Sequence, residues 1–130
     1  MIMIKLLEVN DYDIPTNGGI YQLYFKSTYR IIMRFKGGDK TGMLYVGETE
    51  NLKRRLYNLR LGLINANTKI HSIAGYYVEF NFEKYFPLEK LFVKYESCKN
   101  HKERENEILV RYIKRFGELP LFNFKRPKII

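Results

Sequence analysis

Hydrophobic and polar positions follow a strand-like pattern through the first part of the chain and turn helical further on. Met1 to Leu7 alternates weakly and predicts an edge strand. Asn10 to Gly19, with Asp11, Asp13, Pro15, Asn17 and the paired Gly18 and Gly19, is dense in turn formers. Ile20 to Phe25 is rich in β-branched and aromatic residues and predicts a strand; Tyr29 to Phe35 reads the same way, ahead of a Lys36-Gly37-Gly38-Asp39-Lys40 turn. Met43 to Val46 predicts another strand. Sequential strands joined by short turn-like segments make an antiparallel sheet the economical arrangement. Gly47 to Thr49 ends the last of these strands, and Thr49 can cap a helix in which Leu52, Leu56, Leu59 and Leu63 form one apolar stripe. Between Asn65 and Pro87 the pattern supports a helix over Thr68 to Tyr76 and an extended Val78 to Phe82. Leu91 to Tyr95 predicts a further strand. A final helix should run from about Lys102 to Phe116, with Ile108, Leu109, Tyr112, Ile113 and Phe116 on one face and Arg104, Arg111, Lys114 and Arg115 outside it. Gly117 is its natural stop.

No repeat, low-complexity run or long linker divides the chain, so one domain over residues 1–130 is expected. Its 45% apolar share, with 15% aromatic residues, supplies a single core. The expected class is α/β of the α+β kind, a small antiparallel sheet flanked by helices. A single cysteine, Cys98, excludes an internal disulfide framework, and no apolar run approaches the roughly 20 residues of a membrane span. Met1 to Val9 lacks the charged leader and small-residue cleavage site of a secretory signal, which predicts a cytoplasmic, intracellular setting.

Charge narrows the function classes further. The chain carries 23 Lys plus Arg against 14 Asp plus Glu, a net +9, and nucleic acid is the commonest partner for such an excess. The basic residues gather at Lys53, Arg54, Arg55 and Arg60, at Arg111, Lys114 and Arg115, and at Lys125, Arg126 and Lys128, interleaved with tyrosine and phenylalanine. Phosphate contact combined with stacking uses this mixture; simple solubility and an aromatic core are the plainer alternative. The expected partner is DNA, double-stranded or branched, with RNA open as well. No membrane partner is expected, because no segment pairs a basic face with a broad apolar one.

Two polar residues sit where core is expected. Arg55 falls beside the Leu52, Leu56 and Leu59 stripe, so it needs an anionic partner, a substrate phosphate or a nearby carboxylate, or else snorkels to water at the rim. Guanidinium suits the first role because it stays charged when desolvated and holds two phosphate oxygens at once. Glu105 precedes Ile108 and Leu109 on the apolar face of the last helix, as a helix N-terminal acid or as a metal-bound carboxylate. Magnesium is ordinarily held by one or two carboxylates, several waters and substrate phosphates. Cys98, His101 and His71 lack the second close pair that a zinc site requires. Gly37-Gly38, placed in a hairpin turn, is not a phosphate-cradling loop.

Gly19-Ile20-Tyr21 on one strand, Tyr45-Val46-Gly47 on the next, and Asn51-Leu52-Lys53-Arg54-Arg55-Leu56 on a helix together resemble the GIY-YIG nuclease superfamily in order and spacing. Each tripeptide alone is common, but the ordered set, with Arg55 eight residues past Gly47, is specific. Glu105 and Asn123 match the late Glu and Asn of the family, so the resemblance spans about residues 19–123. It implies a three-stranded antiparallel sheet with helices around it. The implied activity is that of an endonuclease hydrolysing DNA phosphodiester bonds with one divalent metal ion, Mg or Mn, in repair, restriction or mobile-element biology. Tyr21 and Tyr45 would be the paired phenols, Arg55 the phosphate clamp, Glu105 the metal ligand with Glu107 as fallback, and Asn123 the supporting asparagine. Gly19 and Gly47 are the motif glycines, and Lys53, Arg54, Arg60, Arg111, Lys114, Lys125 and Arg126 the DNA-contact candidates.

The chain departs from the family pattern in three places. Leu59 stands where many members have His or Tyr, Glu48 where many have a basic or small residue, and the interval from Glu105 to Asn123 is 18 residues, longer than usual. An alternative reading is therefore a catalytically weak or inactive nucleic-acid-binding module. Tyr21 and Tyr45 are 24 residues apart, which implies an enlarged hairpin between the motif strands. That insertion would contact a DNA groove or cover the sheet edge. A homodimer would let two single-metal sites cut both strands; a separate partner would supply target choice instead.

Overall fold

The computed structural model describes residues 3–27, 31–65, 71–125 and 127. The chain folds as an α+β domain with a four-stranded antiparallel sheet, a separate two-stranded sheet, and helices on both faces of the larger sheet. The strands are β1 (Ile4–Lys5), β2 (Gly19–Phe25), β3 (Ile32–Arg34), β4 (Gly37–Asp39), β5 (Met43–Thr49) and β6 (Leu91–Ser97). The helices are α1 (Leu52–Asn65), α2 (Ser72–Glu79) and α3 (His101–Phe116). The main sheet has the order β1-β6-β2-β5, one strand more than the family resemblance implies, because β1 pairs onto β6.

Strand alternation in β2 sets up the two layers. Tyr21, Leu23 and Phe25 face a core built from Leu52, Leu56, Leu59 and Leu63 of α1 with Ile73 and Tyr77 of α2. Ile20, Gln22 and Tyr24 face α3 and meet Ile108, Tyr112 and Phe116. The predicted leucine stripe of α1 is thus buried along its length, and Gly117, in the left-handed region at φ 83°, ends α3. No helix among the described residues is long and apolar enough to cross a membrane.

Local expectations are corrected at five points. The strand expected over Met1 to Leu7 is only Ile4–Lys5, followed by 3-10 turns over Leu6–Asp11. Those turns bury Leu6 and Val9 together, which the three-residue period of that helix allows and a strand does not. The Lys36 to Lys40 turn is also displaced: Phe35 and Lys36 make the turn, and Gly37–Asp39 is β4, paired with β3. Tyr29 and Arg30 lie outside the described residues. Thr49 is the last residue of β5, and Asn51 caps α1 through its side-chain oxygen, which accepts from the Arg54 N–H at 3.0 Å. Thr49 holds that cap by accepting from the Asn51 N–H at 3.1 Å. The second helix runs Ser72–Glu79, later than Thr68 to Tyr76, of which 68–70 lie outside the described residues. Val78 belongs to its last turn, Asn81 leaves it in the left-handed region, and Phe82–Lys84 forms a 3-10 turn instead of extended chain.

The β3–β4 hairpin does not join or cover the main sheet. It docks on the C-terminal end of α3, where Arg34 pairs with Glu118 and donates to the Leu119 carbonyl at 2.8 Å. Buried Asp39 accepts from the Tyr112 hydroxyl at 2.7 Å. The exposed edge of the sheet, β5, is covered by the segment after α3. The Phe122 N–H donates to the Leu44 carbonyl at 2.8 Å, and the Asn123 side chain brackets Val46, accepting from its N–H at 3.0 Å and donating to its carbonyl at 2.9 Å.

Candidate active site

The register of β2 against β5 places Tyr21 opposite Gly47 and Leu23 opposite Tyr45, so both phenols lie on the α1–α2 face. The ring centroids are 5.9 Å apart and tilted by 41°. Gly47 makes this possible, since a Cβ there would lie 2.6 Å from the Tyr21 hydroxyl and 2.7 Å from Tyr45 Cε2. Gly19 has a different task. A Cβ at that position would lie 2.1 Å from the Glu96 carbonyl oxygen and 2.8 Å from Leu52 Cδ1, so its absence lets β6 and α1 close on the start of β2.

Arg55 reaches this pair from the first turns of α1. Leu52 and Leu56 anchor the helix against the sheet, and Arg55 Nε donates to the Tyr21 hydroxyl at 3.1 Å. No carboxylate among the described residues pairs with Arg55, so its remaining guanidinium donors have no anionic partner among them.

His71, whose spacing in the sequence suggests no more than a zinc candidate, completes the group. It caps α2 through Nδ1, which accepts from the Ile73 N–H at 3.2 Å. That acceptor role leaves the ring proton on Nε2, 3.0 Å from the Tyr21 hydroxyl. Burial, reinforced by Arg55, lowers the His71 pKa to about 3, so the ring is neutral near pH 7. Its edge also meets Tyr45, with centroids 5.9 Å apart at 76°. Nothing local in the sequence signals this role: His71 lies 50 residues from Tyr21, and histidine is not among the usual cap residues.

Glu105 approaches the same region from the other face of the sheet. It is half-buried on α3 and hydrogen-bonds to the backbone of Glu48. Burial chiefly, and then the Glu48 carboxylate, raise its pKa; Lys125 and His101 act the other way. Glu48 itself pairs with His101 Nδ1 at 2.5 Å. Tyr45 feels these acids: burial first, then Glu105 and Glu48, push its pKa up, against hydrogen bonding with Tyr21 and the charge of Arg55. Burial likewise dominates at Tyr21, whose pKa is raised well beyond the usual tyrosine range.

Not every expected site residue converges. Glu107 is exposed and pairs with Arg104 at 3.3 Å, so it stands apart from Glu105 and the phenols. Asn123 bonds to neither phenol and holds instead the backbone of β5, at Val46. Lys53 and Arg54 lie near Arg55 at the start of α1, and Lys125 is within electrostatic reach of Glu105. Arg60 donates to the Leu7 carbonyl at 3.0 Å, which ties it to the 3-10 segment. Arg111 and Lys114 are exposed further along α3, and Arg126 lies outside the described residues.

The donors present fit a hard divalent cation. No group of three His, Cys, Asp or Glu side chains among the described residues forms a ready metal cage. Glu105 is instead a half-buried carboxylate pressed by a second acid and, among the described residues, without a basic side chain bonded to it. Magnesium or manganese can be held by one such oxygen ligand when waters and substrate phosphate complete the shell. Comparison of the chain with protein-family models, with curated proteins and with solved structures finds no match in any of the three.

Proposed function

We propose that this chain is a divalent-metal-dependent endonuclease that hydrolyses DNA phosphodiester bonds, with a site of the GIY-YIG kind. The observation that carries this reading is the gathering of Tyr21, Tyr45 and Arg55 around Gly47, with Glu105 in electrostatic reach at the edge of the same sheet. In this reading Arg55, steadied by its bond to Tyr21, turns its other N–H groups to the non-bridging phosphate oxygens and stabilises charge as phosphorus becomes pentacoordinate. Water attacks phosphorus; the new oxygen–phosphorus bond forms as the bond to the leaving oxygen breaks. The water proton passes to the Tyr45 oxygen in its phenolate form, and the leaving oxygen is protonated from solvent. Tyr45 is assigned this task because it is only partly buried, whereas Tyr21 is fully buried with its oxygen held by Arg55 and His71. Glu105 would hold the metal, which when bound supplies positive charge to polarise the phosphate and to offset the acids that disfavour the Tyr45 phenolate.

The test is nicking of supercoiled plasmid with magnesium, manganese or EDTA, beside Arg55→Ala and Glu105→Ala. Metal-dependent nicking that falls at least 100-fold in both variants is expected; nicking that persists in both overturns the assigned site. The second reading, a nucleic-acid-binding module without cleavage, is favoured by the Glu48 carboxylate next to Glu105. It requires salt-sensitive binding that Glu105→Ala leaves intact, with no nicking under any metal.

A further inference from the structure

The face of the sheet opposite Tyr21 carries a second feature, unconnected with the phenols. Between β2 and α3 runs a groove of about 300 Å³, floored by Gln22 and Tyr24 and walled by Arg104, Arg111 and Arg115. Lys26 and Lys94 flank it, their ammonium groups 5.8 and 5.2 Å from the centre of the Tyr24 ring. Arg104 is neutralised by Glu96 and Glu107. Among the described residues, no carboxylate pairs with Arg111, Arg115, Lys26 or Lys94. The floor also carries one buried polar side chain among apolar neighbours. Gln22 is only 7% exposed, and its carboxamide oxygen accepts from the Tyr24 hydroxyl at 3.2 Å, so the amide's NH₂ group is the end left as a donor.

We propose that this groove is a second nucleic-acid site, which grips a phosphodiester backbone without cutting it. Four unpaired cations around a donor-bearing floor make a surface complementary to a polyanion. Arg111 and Arg115 stand one helical turn apart, ~6 Å along the axis, a spacing comparable to that of neighbouring phosphates on a strand. Guanidinium groups hold such oxygens in pairs. The groove's two phenols are already engaged, Tyr24 by Gln22 and Tyr112 by buried Asp39, and the nearby acids Glu96 and Glu107 are held by Arg104, so among the described residues no free base or metal-ready carboxylate accompanies binding there. This inference does not require the chain to cut DNA.

The experiment measures binding of a fluorescently labelled DNA duplex in EDTA across a salt series, for the full chain, for R111E/R115E and for K84E/K99E. The last variant matches the change in net charge at exposed positions away from the groove. Circular dichroism checks that all three are folded, and plasmid nicking is run in parallel. R111E/R115E should weaken binding at least tenfold more than K84E/K99E, reduce the salt slope by about 2, and protect Lys94 less from acylation when DNA is bound. Equal weakening in the two variants, or no DNA binding by the full chain, overturns the second site. Loss of binding in R111E/R115E when the full chain never nicks plasmid would leave the groove standing and remove the endonuclease; unchanged binding with normal nicking would do the reverse.

Discussion

The Tyr21 oxygen receives two donors, Arg55 Nε and His71 Nε2, and the second comes from a ring kept neutral by burial. Folding therefore takes His71 from an ordinary pKa of 6.5 down to about 3. The unfolded chain binds the extra proton below pH 6.5, so the contribution of neutral His71 is present above that pH and is lost as pH falls toward 3. Between pH 7 and pH 5 the loss should be ~2 kcal/mol. Glu105 acts oppositely, because its raised carboxyl gains stability as pH falls through its folded value toward 4.5. Urea melts of the wild type and His71→Gln separate the two: the pH dependence assigned to His71 should vanish in the variant, and an unchanged slope would refute it. Tyr45 gives a kinetic counterpart. Its pKa is pushed up, so at neutral pH the phenolate is scarce and should increase about tenfold per pH unit. The nicking rate should climb with pH in the same proportion from pH 7 to 9 and lose that dependence in Tyr45→Phe.

At the scale of elements, much was legible because periodicity reports burial. The Leu52, Leu56, Leu59 and Leu63 stripe, the β-branched and aromatic run of β2, and Gly117 after Phe116 each follow from a local rule that the tertiary structure obeys. The failures occur where a distant partner decides. Leu6 and Val9 form 3-10 turns because both enter the core, and Gly37–Asp39 is a strand because β3 and α3 hold it. His71 was invisible as a site residue for the same reason, since only the packing of α2 on the sheet carries it to Tyr21. The enlarged hairpin expected between the motif strands is present, since β2 pairs with β5 across β3 and β4; β6, from the far side of α2, takes its other edge. The segment after α3 is the clearest case of an element defined by what it touches. Asn123→Ala should cost about 1 kcal/mol by removing both bonds to Val46. It should also speed hydrogen exchange at the Val46 amide, which exchange NMR would detect; unaltered protection there would mean that the clamp is not what closes the edge.

The whole molecule carries +9, and its cations lie on more than one side. Lys53 and Arg54 stand on α1 beside Arg55, whereas Arg111 and Arg115 line the groove against β2. Composition announced the excess, but the sequence had no means of sorting it into faces, because that depends on which flank of α3 turns toward the sheet. If Lys53 and Arg54 each contact one phosphate, K53A/R54A should lower the slope of log affinity against log salt by about 2 in a fluorescence titration. A slope equal to that of the wild type would remove them from the interface. β5 has two roles at this scale, as the wall that carries Tyr45 and Gly47 and as the last strand of the sheet. Any peptide that extended the sheet there would have to evict Asn123 and take over the backbone group through which Glu48 holds Glu105. If the proposed endonuclease activity holds, strand addition and catalysis would compete for one stretch of main chain, and an extended peptide matched to β5 would act as an inhibitor that never touches the phosphate.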